Sequence, residues 1–114
     1  MLKRTVFNSL ETAVRIKFRI QNLYSSLKRA YHSDNLEEIK HCIKKSLSDV
    51  DSMSFMIRMK GYSSLRSYSE NLFHYLHKAQ QLTAIDEIKP LLKKSMEQAF
   101  DALESAHYLE EDDY

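Results

Sequence analysis

Residues 5–31, TVFNSLETAVRIKFRIQNLYSSLKRAY, repeat apolar side chains at alternating spacings of four and three: Val6, Leu10, Ala13, Lys17, Ile20, Tyr24, Leu27 and Tyr31. Seven of these eight positions are apolar or aromatic, and a 3.6-residue helical period brings them all onto one face. Four successive heptads of this kind predict a long amphipathic helix that needs neighbours to cover its stripe. Phe7, Val14, Phe18 and Leu23 widen the stripe beyond a two-helix seam, so the helix is expected to touch more than one partner.

The rest of the chain repeats the pattern. His32-Ser33-Asp34-Asn35 is a polar break, and Asp34 followed by Glu37 reads as a capping box that opens a second helix. Its stripe is Leu36, Ile39, Ile43, Leu47, Val50, Met53 and Ile57, and Lys60-Gly61 supplies a stop with glycine at a left-handed position. Ser63 or Ser64 is predicted to cap a third helix with Leu65, Tyr68, Leu72, Tyr75, Ala79 and Leu82 on its inner face. A fourth helix buries Ile88, Leu92, Met96, Ala99, Leu103 and Ala106; it either starts near Asp86-Glu87 or bends at Pro90, which lacks an N–H donor. The acidic run Glu110-Glu111-Asp112-Asp113 opposes the helix dipole, which predicts fraying over 110–114.

Gly61 and Pro90 are the only glycine and the only proline in 114 residues, too little punctuation for a many-turned β fold. Four helices joined by short polar turns predict an all-α fold, an antiparallel up-down-up-down four-helix bundle formed by residues 1–114 as a single domain. Apolar residues at 43% and charged residues at 29% are a globular balance. The lone Cys42 has no intramolecular disulfide partner, Met1-Leu2-Lys3-Arg4 leads into no apolar signal core, and charges interrupt every apolar run. A cytoplasmic protein with no membrane association is the expectation.

The formal charge of +1 is unevenly spread. Residues 1–60 carry 12 Lys/Arg against 6 Asp/Glu, net +6, and residues 61–114 carry 5 against 10, net −5. Such polarity either presents a basic face to an anionic partner or lets the two halves attract one another inside the bundle. Arg4, Arg15 and Arg19, with Lys28 and Arg29, form the stripe that would contact nucleic-acid phosphates.

Motifs for chemistry are sparse. Glu70, His74 and His77 share one face of the third helix, opposite its apolar stripe, so a solvated polar face is expected there and no metal or cofactor. Cys42 flanks the Ile39/Ile43 stripe and reads as a small buried thiol. No glycine-rich phosphate loop or zinc-ligand cysteine pattern occurs, and no catalytic residue or enzymatic activity is expected.

One short run resembles a known family. His41-Cys42-Ile43-Lys44-Lys45-Ser46 is similar to the His-x-Leu-Lys-Gly-Ser core of histidine phosphotransfer (HPt) domains, helical bundles of similar size. The resemblance implies His41 as phosphoryl acceptor and Lys44, one turn on, as the cation that screens the phosphate. Lys45 stands where that family has glycine. A competing register aligns Ile57-Arg58-Met59-Lys60-Gly61-Tyr62-Ser63 with the same core; Ile57 then occupies the acceptor position, which implies a relative that binds without carrying phosphate.

The residues outside the narrow stripes point to a third reading. Phe7, Phe18, Phe55, Met56 and Met59 are more apolar surface than a minimal bundle needs, as are Phe73 and Phe100. They predict a non-catalytic interaction module, an adaptor, chaperone, immunity-type inhibitor or regulator, which binds a protein partner or a second copy of itself as a homodimer. A wide core that absorbs these side chains is the alternative.

Overall fold

The computed structural model describes the backbone of residues 2–112 and the side chains of residues 11–109. Four α-helices follow in order: α1 Leu2–His32, α2 Leu36–Lys60, α3 Ser63–Gln81 and α4 Ile85–Asp112. Helix α1 packs on α2, α2 on α3, α3 on α4, and α4 closes the ring on α1, the pattern of an up-down-up-down bundle. The bundle measures 52 × 20 × 19 Å, an elongated rod one helix pair thick. Among the described residues no helix is long and apolar enough to cross a membrane.

The turns follow local chemistry. Asn35, not Asp34, caps α2: its side chain accepts the Glu38 N–H at 3.2 Å, one residue later than the Asp34/Glu37 box predicts. Asp34 instead points to solvent and meets Lys89 Nζ at 3.5 Å. Gly61 ends α2 at φ 69° and ψ 33°; its N–H reaches Arg58 O, and the Tyr62 N–H reaches Ile57 O. This doubly bonded left-handed stop is the Schellman arrangement. Ser63 and Ser64 lie inside α3 rather than capping it; Tyr62 holds the cap position, and its side chain makes no capping hydrogen bond. At the other end of α3 the Leu82 N–H bonds Ala79 O, and Lys40 of α2 adds to this cap by donating from Nζ to the carbonyls of Ala79 (3.3 Å) and Gln80. Pro90 lies in the second turn of α4, which begins at Ile85 with Ala84 O accepting from Glu87 and Ile88. The carbonyl deprived of a donor by Pro90 is that of Asp86, an exposed residue that water reaches.

The core departs from the predicted stripe in α1. Ala13, Ile16, Ile20, Leu23, Leu27 and Ala30 are the buried positions, while Lys17, Tyr24 and Tyr31 are half-buried. At 100° per residue the buried face is turned by about 50° from the predicted one. Burying Ile16 and Leu23 withdraws purely aliphatic surface, whereas Lys17 and the tyrosines keep polar tips that reach water from the border. Val6, Leu10 and Phe7 lie outside the described side chains.

A similar adjustment recurs in the other helices. Ser69 and Leu76 of α3, and Ser95 and Ala102 of α4, are buried, while Tyr68, Met96 and Leu103 pack at the margin and Tyr75 is half-buried. Small side chains at the centre let the helices approach, and larger ones fold over the seams. The buried serines satisfy their hydroxyls locally: Ser46 Oγ donates to Cys42 O at 2.8 Å, Ser95 Oγ to Leu91 O at 2.8 Å, and Ser69 Oγ to Arg66 O at 3.0 Å.

Candidate functional site

The rotation of α1 leaves apolar side chains outside. Val14 and Phe18 lie on the outer side of α1 at 53% and 61% exposure, and Phe55 and Met59 on α2 at 60% and 70%. Two antiparallel helices cannot close the valley between their outer ridges without a third element. Here the valley is a groove of about 850 Å³, lined by Val14, Phe18, Asn22, Ser52, Phe55 and Met56, with Arg15, Arg19 and Asp51 at its rims. Met56 is half-buried and packs against the core, so it forms a floor, while Phe18 and Phe55 stand as walls.

Phe18, Phe55 and Met56, three of the five side chains singled out for partner binding, thus meet in one groove. Met59 is exposed one turn further along α2, and Phe7 lies outside the described side chains. The wide-core alternative fails for Phe18, Phe55 and Met59, which stay exposed while 22 apolar residues among those described form the buried cluster. Val14 is a groove residue that the sequence places in a widened stripe instead.

Charge at the groove is organised by two ion pairs. Arg19 Nη1 meets Asp49 Oδ1 at 3.1 Å across the α1/α2 seam, and the Asp49 side chain is only 12% exposed. Arg15 Nη2 meets Glu11 Oε1 at 2.6 Å on the α1 surface. Each pair uses one guanidinium donor, and a guanidinium carries five. Arg15 and Arg19 are therefore held beside carboxylates, and Arg4 lies outside the described side chains.

The other candidates lie elsewhere. His41 and Lys44 are both exposed on α2, whereas Ile57 is buried in the core. Fourteen residues of helix separate His41 from Phe55, a rise of about 21 Å, which places the histidine well away from the groove. Cys42 is buried. His74, His77 and Glu70 are exposed on α3, where Phe73 packs edge-on against His77 with ring centroids 4.7 Å apart. Among the described residues no group of three His, Cys, Asp or Glu side chains could hold a metal ion.

A smaller hollow of about 440 Å³ lies between α1 and α4, lined by Tyr24, Tyr31, Lys93, Met96 and Phe100. One of its aromatic walls has a cation beside it: Lys89 Nζ sits 5.9 Å from the Tyr31 ring centroid. The α1/α2 groove is about twice as large and has the more exposed aromatic walls. In comparison with known proteins, the chain matches no protein-family model, no curated protein and no solved structure.

Proposed function

We propose that this chain is a non-catalytic helical interaction module, an adaptor, chaperone, immunity-type inhibitor or regulator, and that the α1/α2 groove is its working surface. The observation that carries the reading is the pair Phe18 and Phe55, about three-fifths exposed on the two sides of one groove while other apolar residues of α1 and α2 form the buried core. Large apolar side chains gathered at one exposed place are uncommon on monomers without a binding role. Burying such a ring fully is worth about 1.5–3 kcal/mol, so two of them supply a useful share of a micromolar affinity. A valley between two helices accepts a further helix, whose side chains fill it at helical spacing. The single buried thiol of Cys42 suits a reducing compartment, and the cytoplasm is the proposed place of action.

The test is site-specific photocrosslinking in cells that express the protein. A crosslinker at position 55 should give a discrete adduct, lost when Phe18 is changed to Asp, while one at position 86 on α4 should not. Equal labelling at both positions, or no adduct at 55, would remove the groove from consideration.

A second reading draws on a different observation, the joint exposure of His41 and Lys44 one turn apart on α2. Phosphotransfer there would move a phosphoryl group from a receiver aspartyl phosphate to the His41 imidazole, with Lys44 screening its charge. Incubation with an acetyl-phosphate-charged receiver should then label the wild type and not His41→Ala; an unlabelled wild type ends this reading.

A further inference from the structure

Resting on the proposal that the α1/α2 groove is a docking surface, we infer the chemistry of its occupant: an amphipathic helix of another protein with acidic residues flanking its apolar face. Shape sets the first half of this inference. Among the described residues the groove-lining side chains of α1 run from Val14 to Asn22, a rise of about 12 Å, which takes a little over two helical turns. Phe18 and Phe55 form its walls and Met56 its floor, so an entering helix presents anchors at i, i+3 or i+4, and i+7. Methionine at the floor adapts to anchors of different shape.

Charge sets the second half. Arg15 and Arg19 stand on the α1 rim with side chains 67% and 46% exposed, and each keeps donors beyond the one it gives to Glu11 or Asp49. Asp51 is the acidic residue on the opposite rim. The α1/α2 hairpin belongs to residues 1–60, whose net charge is +6. Two copies joined groove to groove would oppose two such hairpins, whereas an acidic helix is attracted by the same field and held by charge-assisted bonds from the arginines. The α3/α4 face of a second copy, within the half of net charge −5, is the remaining acidic candidate. Repeated face-to-back contacts of that kind do not close and lead to open-ended assembly, so self-association is distinguishable by size.

The probes are two synthetic helical peptides of about 18 residues with one leucine face, one flanked by glutamates and the other by lysines. Their binding to the full chain is followed by fluorescence anisotropy at low salt, with sedimentation equilibrium of the protein alone. The glutamate peptide should bind about tenfold or more tightly than the lysine peptide, from two rim contacts of ordinary surface strength. Phe55→Asp should abolish binding of both, and Arg15→Glu should narrow or invert the preference; circular dichroism verifies that both variants remain folded. Equal binding of the two peptides, or a preference for lysine, overturns the acidic partner while keeping the groove as a docking surface. A dimer or larger assembly of the protein alone that Phe55→Asp dissolves makes a second copy the occupant and likewise overturns it. Failure of both peptides to bind a monomeric protein overturns the inference and the docking surface together.

Discussion

Removing Arg19 should damage the fold more than removing Asp49, although the two residues share one ion pair. The Asp49 side chain is 12% exposed and Arg19 is 46% exposed, so each variant leaves a different orphan behind. In Arg19→Met the aliphatic stem is largely kept, and a nearly buried carboxylate loses the guanidinium 3.1 Å away. Breaking a fully buried pair costs about 3–5 kcal/mol, and a hydrogen bond to a charged group is worth about 1.5–3 kcal/mol. Because Asp49 lies at the α1/α2 seam with some access to water, about 2–3 kcal/mol is the expected loss. In Asp49→Ala the freed guanidinium turns into solvent, and the cost falls toward the surface-pair range of about 1 kcal/mol or less. The double variant contains no orphaned charge, so it should be less destabilised than the sum by about 1–2 kcal/mol. Urea denaturation followed by circular dichroism measures all three; for a chain of this size each 1 kcal/mol moves the midpoint of thermal unfolding by about 4 °C. A larger loss for Asp49→Ala than for Arg19→Met, or strict additivity, would refute the argument that the buried carboxylate is the costly partner.

Gly61→Ala should cost about 1 kcal/mol in urea denaturation: a Cβ there meets no heavy atom within 4 Å, so the loss comes from the left-handed backbone at φ 69° alone. Gly61→Asn should recover part of that loss, and a cost of several kcal/mol for either variant would point to a clash the geometry lacks. Lys40→Met should destabilise by about 1–2 kcal/mol, with faster amide exchange in the last turn of α3, since the ammonium group serves the Ala79 and Gln80 carbonyls. Unchanged exchange at Leu82, whose N–H bonds Ala79 O, would count against that capping role. Phe55→Ser should cost about 1 kcal/mol or less, whereas Leu72→Ala, at a fully buried position, should cost about 2–5 kcal/mol. Equal costs would return Phe55 to the core.

The helices were legible because their signals are local. Leu36, Ile39, Ile43, Val50, Met53 and Ile57 mark one face at helical spacing, and Gly61 stops it through a backbone conformation that L side chains adopt at a cost. Cap identity was legible only to within a residue, as Asn35 in place of Asp34 shows, because both side chains can accept an N–H and local geometry selects one. For the candidate site, Phe18, Phe55 and Met56 stand out as apolar residues beyond the stripes, yet nothing in their spacing places α1 beside α2 with these three in one groove. Val14 was legible as an apolar residue of α1 but was placed in its widened stripe and not in a groove, and the Arg19–Asp49 pair was beyond sequence reading altogether, since residues 19 and 49 meet only when the hairpin closes.

By itself the amino-acid sequence determined four amphipathic helices, the turns between them, and the imbalance of charge between the two halves, because periodicity, capping chemistry and composition act along the chain. Tertiary structure decided which side of each helix became the interior. Ala13, Ile20 and Leu27 belong to both possible faces of α1; contact with α2 and α4 selected Ile16, Leu23 and Ala30 to complete the set and moved Lys17, Tyr24 and Tyr31 to the border. That choice is made by the total apolar area all four helices withdraw from water together, a quantity no single helix contains. Its consequence is the groove, since the face turned inward on α1 is the reason that Val14 and Phe18 are left outside beside Phe55.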